Sequence, residues 1–299
     1  MSAAPLVSVV VLNHNNARFV GEAIESVVVQ TYRQWEMIVV ENASTDDSWE
    51  IIRAWMKRDP RIRAIRLSRA VNIPAGRNLG LALAQGSYIA PLDSDDVWQP
   101  ELLSRLVEFM ERLENADTGV CGSNCTLINV EGTEIGRKEF PQTDSECRRA
   151  FWYRDPFCHC AVLMRKICFD QLGPYDESFA VAEDLELQMR FGQTFRLHNL
   201  PEDLARIRIS GRNVTLCKHR EVIRQSLRAR RLGFTRYGYS IGWCGRIALA
   251  LTWCMQWLPA RLVHWLFKKV VLRQSAKGRN VLVERGTRPS ACALVLDHR

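Results

Sequence analysis

Residues 88–98 read YIAPLDSDDVW. The apolar run at the start of this stretch predicts a buried β-strand. Three carboxylates, those of Asp93, Asp95 and Asp96, follow it within four positions. In open α/β sheets, ligands bind beyond the carboxyl ends of the strands. The stretch therefore predicts a strand that carries negative charge to a ligand site, and an acidic turn that caps a following helix is the alternative.

Similar apolar runs recur about every 25 to 30 residues in the first hundred positions. They begin near Val7, Glu36, Ile62 and Ser87. Helical patterns lie between them, at roughly 18–30, 46–57 and 75–85. This alternation predicts an α/β fold with a Rossmann-like, mostly parallel sheet and helices on both faces. Four polar residues fall at the predicted carboxyl ends of strands: Asn13, Glu41, Asn42 and Asp93.

Beyond these units the alternation breaks into a mixed region. We expect an amphipathic helix at about 100–113, opened by Pro100, a second helix near 184–192 and a strand at about 195–209. The sequence contains no repeat and no low-complexity segment. Residues 1 to about 220 are therefore expected to form one α/β domain.

A nucleotide is a common ligand of such a sheet, yet two familiar phosphate-binding motifs are absent from the sequence. The turn after the first strand, LNHNNARFVG, has its only glycine at Gly21, and neither GxGxxG nor GxxxxGK[ST] occurs. Hydride transfer and P-loop phosphoryl transfer are therefore not expected. A bound diphosphate would need a cation instead, and Mg²⁺ or Mn²⁺ prefers carboxylate oxygens such as those of Asp93 and Asp95.

Six stretches of the chain carry a family resemblance, in one order over about 200 residues. They are VSVVVLNHNN (7–16), SVVVQTY (26–32), IVVENASTDDS (38–48), PAGRNLGLALAQGSYIAPLDSDDVWQP (74–100), LGPYDESF (172–179) and AEDLELQMRF (182–191). Together they resemble the family 2 inverting glycosyltransferases of bacterial polysaccharide and cell-surface glycan synthesis, which have the GT-A fold. The resemblance implies that a hexose or deoxyhexose is moved from a nucleoside-diphosphate sugar to an acceptor hydroxyl, with Mg²⁺ or Mn²⁺ as cofactor.

The sequence pattern, the charge distribution and the resemblance together predict a division of the chain near residue 220. Residues 1–220 would be the GT-A catalytic domain, with a nucleotide-binding part at about 1–115 and an acceptor part at about 116–220. Residues 221–299 would be a basic, amphipathic, helical C-terminal region.

Donor-binding roles follow by position from the resemblance. Asn13 would line the nucleoside pocket, and Arg77 would meet the diphosphate, whose oxygens suit a guanidinium group. Asp93 would face the ribose and the metal ion, and Asp95 would be the direct metal ligand. Asp96 would be a supporting residue or a helix cap. A surface arginine on a helix is the alternative interpretation of Arg77.

The second predicted strand ends in Glu41-Asn42, where many family members have Asp-Asp. The second of those carboxylates accepts a hydrogen bond from N3 of uracil. The Asn42 amide can accept the same bond, and it can also donate to a different base. Members that resemble this chain and have an asparagine there include deoxysugar transferases that use thymidine nucleotides, so the resemblance leaves the base open.

The pair Glu183 and Asp184 matches the position of the family's catalytic base. The resemblance implies that Asp184 is the base and that Glu183 contacts the acceptor, whereas acids favoured by the dipole at a helix start are the alternative. Family members often carry a histidine near the end of the domain, and here Ser210 stands at that position. His219 is a possible substitute.

The cysteines favour a reducing compartment. Ten cysteines without an N-terminal apolar signal segment fit the cytosol better than a disulfide scaffold. Cys158 and Cys160 flank His159, but no second close pair completes a zinc site. We expect buried thiols here, and a structural metal is the alternative.

The C-terminal region carries most of the positive charge. Residues 221–299 contain 15 Lys and Arg residues and three acids, whereas residues 1–220 contain 26 and 30. The apolar run 247–258 is short of the roughly 20 residues that span a bilayer, and it is rich in tryptophan. We therefore expect association with an anionic membrane surface, and a helical pair that packs on the catalytic domain or forms a dimer is the alternative. The region is too apolar for a nucleic-acid arm.

These features predict a cytoplasmic enzyme that is peripheral on the inner face of the cell membrane. Its acceptor is then expected to be a lipid-linked or cell-surface glycan. Two other functions compete. A nucleotidyltransferase also needs a metal-binding α/β sheet, and a noncatalytic, membrane-associated nucleotide-sugar-binding protein fits the missing histidine and the Glu41-Asn42 pair.

Overall fold

The computed structural model describes residues 4–210, 219–255 and 257. The first half of the chain alternates strands and helices. These elements are β1 (Val7–Asn13), α1 (Ala17–Val28), β2 (Trp35–Glu41), α2 (Ser48–Arg58), β3 (Ile62–Arg66), α3 (Ile73–Leu83), β4 (Tyr88–Asp93), β5 (Val97–Trp98) and α4 (Leu102–Met110). The predicted strand–helix alternation is confirmed, with boundaries that differ by a few residues.

The second half contains longer strands and further helices. They are β6 (Thr118–Ile128), β7 (Glu134–Lys138), α5 (Asp144–Ala150), β8 (Val162–Arg165), α6 (Lys166–Leu172), α7 (Glu183–Phe191), β9 (Arg196–Arg208), α8 (His219–Thr235) and α9 (Trp243–Met255).

The strands form one nine-stranded sheet in the described part of the chain. Its order is β3-β2-β1-β4-β8-β6-β9-β5, with β7 paired to β6. The first four strands in this order are parallel, as the sequence predicts. The remainder is mixed, because β8 runs antiparallel to both β4 and β6 while β9 runs parallel to β6. The sheet therefore continues without a break through both halves of residues 4–210.

Helices cover both faces of the sheet. On β1, Val9 and Val11 belong to one apolar core and Val10 belongs to the other, as expected when successive side chains of a strand point to opposite faces. Helices α1 and α4 pack into the first core, and α5 and α7 pack into the second. Helix α3 lies so close to the sheet that a Cβ atom at Gly80 would come within 2.4 Å of Val10 Cγ1. Only glycine fits there.

The C-terminal helices pack on residues 4–210. Arg230 of α8 donates a hydrogen bond to the Phe151 carbonyl at 2.6 Å, and the Tyr239 hydroxyl donates to the Met189 carbonyl at 2.9 Å. Within residues 4–210, 219–255 and 257, none of the helices combines the length and apolar character of a membrane span. Most of the predicted C-terminal region, residues 258–299, lies outside the described residues.

Candidate active site

The polar residues predicted at strand ends do meet at one edge of the sheet. In the parallel register, Asn13 lies beside Glu41 on the neighbouring strand, and Leu12 lies beside Asp93. All three strands therefore end at the same level, and the region beyond their carboxyl ends is the crevice in which a ligand is expected.

One end of this crevice has room for a nucleoside. A cavity of about 530 Å³ opens there between residues 43–45, after β2, and residues 66–68, after β3. Asn13 is fully buried beside it and donates a hydrogen bond to the Ser44 hydroxyl at 3.3 Å, while the Asn13 Oδ1 atom has no hydrogen-bond partner in the described residues. A buried polar atom without a partner is costly, and a ligand that donates a hydrogen bond would relieve that cost.

The Asn42 side chain has fewer hydrogen-bonding groups available for a base than the sequence suggests. Its Oδ1 atom accepts a hydrogen bond from the Val71 backbone at 2.8 Å, and its Nδ2 atom donates to the Val71 carbonyl at 2.9 Å. One N–H and one lone pair of the amide remain for a base. Asn42 therefore clamps the segment that leads into α3, whatever its role in base recognition.

Three residues with left-handed backbone lie next to residues of this site. They are Asn15 (φ 49°), Ala43 (φ 55°) and Ala182 (φ 59°), and they are the described residues other than glycine with positive φ. Such backbone costs of the order of 1 kcal/mol and is concentrated at functional sites. Ala182 is notable because it directly precedes Glu183 and Asp184.

Arg77 connects the crevice to the start of α7. Helix α3 begins after Asn72, whose side chain accepts a hydrogen bond from the Ala75 backbone at 3.0 Å. Arg77 lies one turn further on and is buried. Its Nη2 atom lies 2.9 Å from Asp93 Oδ1, and its Nη1 atom lies 2.5 Å from Glu183 Oε1. The alternative interpretation of Arg77, a surface residue, is wrong.

The acidic loop after β4 is held by a buried arginine that the sequence analysis did not single out. The Arg208 backbone donates a hydrogen bond to Asp96 Oδ1 at 2.8 Å, and Arg208 Nε donates to the Asp95 carbonyl at 2.9 Å. Asp96 is buried, while Asp95 is partly exposed. Burial and the charge of Asp93 raise the pKa of Asp95 to about 6. A cation near Asp93 and Asp95 would relieve this repulsion.

The most closely grouped potential metal ligands include the Cys160 thiol, which the sequence predicts to be a buried thiol without a metal ion. Ligand atoms of Asp93, Asp96 and Cys160 all lie within 4.8 Å of one another, whereas Asp95 is outside this group. Cys160 Sγ also lies 3.4 Å from Cys158 Sγ. Oxygen donors suit Mg²⁺ and Mn²⁺, so the carboxylates fit either ion. Eight cysteines are described, and all are free thiols.

The surroundings of Asp184 disfavour the charged form of its carboxyl group. Its Oδ1 atom accepts a hydrogen bond from the Leu185 backbone at 2.8 Å. Burial, followed by the negative charges of Glu183 and Asp155, raises the pKa of Asp184 to about 8. A carboxylate tuned in this way can take a proton from a hydroxyl group more readily than an ordinary aspartate. Burial also raises the pKa of Glu183, and the Arg77 charge opposes that shift.

Two further residues near Arg77, His159 and Tyr175, were not predicted from the sequence to be functional. His159 Nε2 and the Tyr175 hydroxyl are hydrogen-bonded at 3.0 Å, and both side chains are buried. Burial and the Arg77 charge hold the pKa of His159 well below its usual range, so the imidazole is neutral. Tyr175 lies in the LGPYDESF motif, which gave a signal, whereas His159 lies in no recognised motif.

The expected histidine position is only partly covered. Ser210 lies two residues after the end of β9 and is described, whereas residues 211–218 lie outside the described residues. His219 begins α8, but its side chain also lies outside the described part of the chain. The substitution of this histidine by His219 therefore stays a prediction.

Comparisons with known proteins agree with this geometry. The model of the family described as Glycosyl transferase family 2 matches residues 8–170. EpsE from Bacillus subtilis, which is named as a glycosyltransferase, is 31% identical over 212 residues, covering 70% of this chain and 74% of its own length. The Escherichia coli glucosyltransferase WfaP is 38% identical over 169 residues, covering 47% and 66%.

Solved structures show the same fold at low identity. TarS 1–349 from S. aureus, in complex with UDP-GlcNAc, superposes with a TM-score of 0.61 at 18% identity and covers 82% of this chain and 71% of its own. The mannosyltransferase PcManGT from Pyrobaculum calidifontis, in complex with GDP-Man and Mn²⁺, has a TM-score of 0.60 at 15% identity and covers 91% and 81%.

The mixed sheet with helices on both faces is thus the GT-A fold expected from the sequence, and the class of protein is a glycosyltransferase. The chain belongs to glycosyl transferase family 2.

Proposed function

We propose that the protein is an inverting transferase that moves a sugar from a nucleoside-diphosphate sugar to an acceptor hydroxyl, with Asp184 as general base. One observation carries this proposal. Arg77 bonds at one end to Asp93, at the strand edge where a donor would bind, and at the other to Glu183, the neighbour of Asp184. A donor site and a basic carboxylate are therefore held together by one buried ion-pair network.

The donor side of the crevice would bind the nucleotide. Asn13 and the cavity beside Ser44 would take the nucleoside, with Asn42 next to the base. Arg77 would face the diphosphate, and Asp93 would face the ribose. The TarS complexes contain UDP and UDP-GlcNAc and the PcManGT complex contains GDP-Man, which supports a nucleotide-sugar donor and leaves the base open.

Asp93 and Asp95 would hold a divalent ion, Mg²⁺ or Mn²⁺. The raised pKa of Asp95 beside Asp93 supports this assignment, because two close carboxylates repel each other until a cation lies near them. The ion, when bound, offsets the negative charge that grows on the departing diphosphate. The Mn²⁺ in the PcManGT complex is in line with this cofactor.

The displacement would occur in one step. As the acceptor oxygen forms its bond to the anomeric carbon, the bond from that carbon to the diphosphate oxygen breaks, and both electrons of that bond leave with the nucleoside diphosphate. The Asp184 carboxylate accepts the proton of the acceptor hydroxyl. Attack on the face opposite the leaving group inverts the anomeric configuration. Arg77 contributes positive charge beside the leaving group, where charge increases in the transition state.

Relatives support a glycan acceptor that is bound to lipid or to the cell surface. The name of WfaP states that it transfers glucose to α-D-GlcNAc-diphosphoundecaprenol, and TuaG from B. subtilis is named for teichuronic acid biosynthesis. We propose an acceptor of this class for the present chain, within polysaccharide biosynthesis.

Helix α9 and its surroundings support a location at the inner face of the cell membrane. Residues 222–257 contain six arginines and no acid. Large apolar side chains on α9 are exposed, among them Trp243 at 75% and Leu251 at 62%. Apolar side chains beside cationic ones are typical of segments that lie in the interface of an anionic bilayer. The enzyme would then be cytoplasmic and peripheral.

A thermal-shift panel of nucleoside-diphosphate sugars with Mn²⁺ tests the donor, and product analysis tests the reaction. We expect one donor to stabilise the protein and to be converted slowly to its nucleoside diphosphate. Release of inorganic diphosphate from a nucleoside triphosphate would indicate a nucleotidyltransferase instead. Donor binding without turnover, in the presence of glycolipid acceptors, would indicate a noncatalytic binding protein.

A further inference from the structure

A second and larger cavity lies outside the crevice described above. It measures about 880 Å³, within the range of small-molecule sites. One wall comes from residues 140–143 before α5, from α5 itself, including Arg149, and from the segment after that helix, including Trp152, Tyr153 and Arg154. The other wall comes from four residues between 240 and 245, at the start of α9. The catalytic half and the C-terminal helices therefore build this cavity together.

The charges around this cavity suit an anion. Arg149 and Arg154 line it, together with one carboxylate, that of Glu146. That carboxylate is already engaged, because its Oε2 atom accepts hydrogen bonds from the Gln142 and Thr143 backbones at 3.2 and 3.1 Å. Two guanidinium groups then remain for a ligand, and guanidinium matches phosphate oxygens.

Arg154 is incompletely satisfied in the described structure. Its Nη1 atom donates to the Glu139 carbonyl at 3.2 Å, but its Nε atom is buried and has no hydrogen-bond partner in the described residues. An unsatisfied buried donor costs about 1–3 kcal/mol. An anionic ligand in the cavity would supply the missing acceptor.

An apolar surface begins directly beside the cavity. A Cβ atom at Gly245 would lie 3.2 Å from Trp152 Cγ, so α9 packs closely against the cavity wall. Trp243 lies in sequence between two lining residues, Gly242 and Cys244, and its side chain is 75% exposed. Ile247 and Leu251 follow at the spacing of one helix face and are also exposed.

One residue next to the cavity wall interacts electrostatically with the proposed base. Asp155 directly follows Arg154, and its negative charge contributes to the raised pKa of Asp184. Asp155 also lies 3.9 Å from Arg230 of α8 in an ion pair. Asp155 therefore couples the cavity wall to the proposed base and to α8.

We propose that this cavity binds the phosphate group of an amphiphilic acceptor, whose sugar hydroxyl reaches Asp184 and whose lipid chain lies along α9. The two cavity arginines would bind the phosphate, and the exposed apolar face of α9 beside them would contact the lipid chain. The inference rests on the proposed transferase function, because it names the acceptor of that reaction.

Binding of farnesyl diphosphate to the full chain in detergent micelles tests the proposal. EDTA is added to remove the divalent ions on which diphosphate binding at the donor crevice would depend. We expect the double variant Arg149→Ala/Arg154→Ala to bind farnesyl diphosphate at least tenfold more weakly than the wild type. A single Arg149→Ala variant, which changes an exposed residue, should lose part of this affinity while keeping the unfolding temperature.

Two controls distinguish the cavity from general charge effects. Arg53→Ala/Arg112→Ala removes the same charge from exposed positions on α2 and beyond α4, and it should leave the affinity unchanged. Farnesol, which lacks the phosphate, should bind at least tenfold more weakly than farnesyl diphosphate. Equal affinity of the cavity variants and the wild type would overturn the proposal, as would equal binding of farnesol or of inorganic diphosphate alone.

Failure of the cavity and failure of the transferase function give different results. If the cavity assignment is wrong, the arginine variants still bind the donor and still release its nucleoside diphosphate, with no loss of farnesyl diphosphate affinity. If the transferase function is wrong, the wild type releases no nucleoside diphosphate, even though farnesyl diphosphate binding depends on the two arginines. The second result would remove the acceptor role.

Discussion

Arg77 and Glu183 form a buried ion pair in which Nη1 and Oε1 are 2.5 Å apart, although 106 positions separate them in the sequence. The same guanidinium reaches Asp93 with its other end. This pair fixes the start of α7, and therefore Asp184, relative to the carboxyl end of β4. The ion pair is thus the structural link between the donor crevice and the proposed base.

We expect Arg77→Ala to destabilise the protein by about 3–5 kcal/mol, because Glu183 is left buried and unpaired. Urea unfolding followed by circular dichroism measures this loss. Arg112→Ala breaks an exposed pair with Glu108 and should cost less than about 1 kcal/mol. Adding Glu183→Gln to Arg77→Ala should recover part of the stability. Equal losses for Arg77→Ala and Arg112→Ala would contradict the role of the buried pair.

The pH dependence of turnover should report Asp184. A general base acts in its deprotonated form, so kcat/KM should rise with pH and level off above a midpoint near 8, the raised pKa of Asp184. Asp155→Asn removes a negative charge that raises this pKa, and the midpoint should move to lower pH. Asp170→Asn, at an exposed pair with Lys166, is the matched control and should leave the profile in place. If Asp155→Asn has the same midpoint as the wild type, the assignment of this midpoint to Asp184 is wrong.

Variants of the acidic loop locate the metal ion. Asp95→Asn should raise the Mn²⁺ concentration needed for half-maximal donor binding at least about tenfold, because it removes a negatively charged group from the proposed metal site. Changes in residues that only support metal ligands already cost about 10- to 100-fold in metal affinity. Cys160→Ser should leave that concentration unchanged, because Cys160 is 5% exposed and contacts Cys158. A Mn²⁺ titration in a thermal-shift assay measures both. The opposite pattern would place the ion among Asp93, Asp96 and Cys160.

Helix α9 should carry membrane association. Trp243→Glu/Leu251→Glu is expected to reduce co-sedimentation with phosphatidylglycerol vesicles at least tenfold, since each large apolar side chain contributes about 1.5–3 kcal/mol when buried. Leu113→Glu changes a residue that is 92% exposed elsewhere on the surface, and it should have no effect. Unchanged sedimentation of the α9 variant would show that a different surface, or none, meets the membrane.

Local sequence patterns predicted the elements whose periodicity is strong. Strands β1 to β4 and helices α1 to α3 lie within a few residues of their expected positions, because apolar runs and helical faces are short-range signals. The strands of the second half of the chain were harder to predict from the sequence. Strands β6 and β8 pair with partners that are distant in the chain, and their register depends on contacts that no local pattern encodes.

The candidate site likewise combines residues that the sequence predicted with contacts that it did not predict. The sequence singled out Arg77, Asp93 and the pair at 183–184 from a resemblance, but it did not predict the ion pairs that join them. The resemblance gave Asp96 only a supporting or helix-capping role, and in the structure it is buried and accepts the Arg208 backbone hydrogen bond. Cys160 reaches Asp96 from 64 positions away in the chain and could only be found in three dimensions.

The most direct test of the central claim compares the wild type with Asp184→Asn on the donor that stabilises the protein in the thermal-shift panel. The variant keeps the shape of the side chain but cannot accept the proton of the acceptor hydroxyl. We expect its donor affinity to stay within about twofold and its transfer rate to fall by roughly 10²- to 10⁴-fold, with an inverted anomeric product from the wild type. Transfer by Asp184→Asn at a rate close to that of the wild type, or a product with retained configuration, would contradict this mechanism.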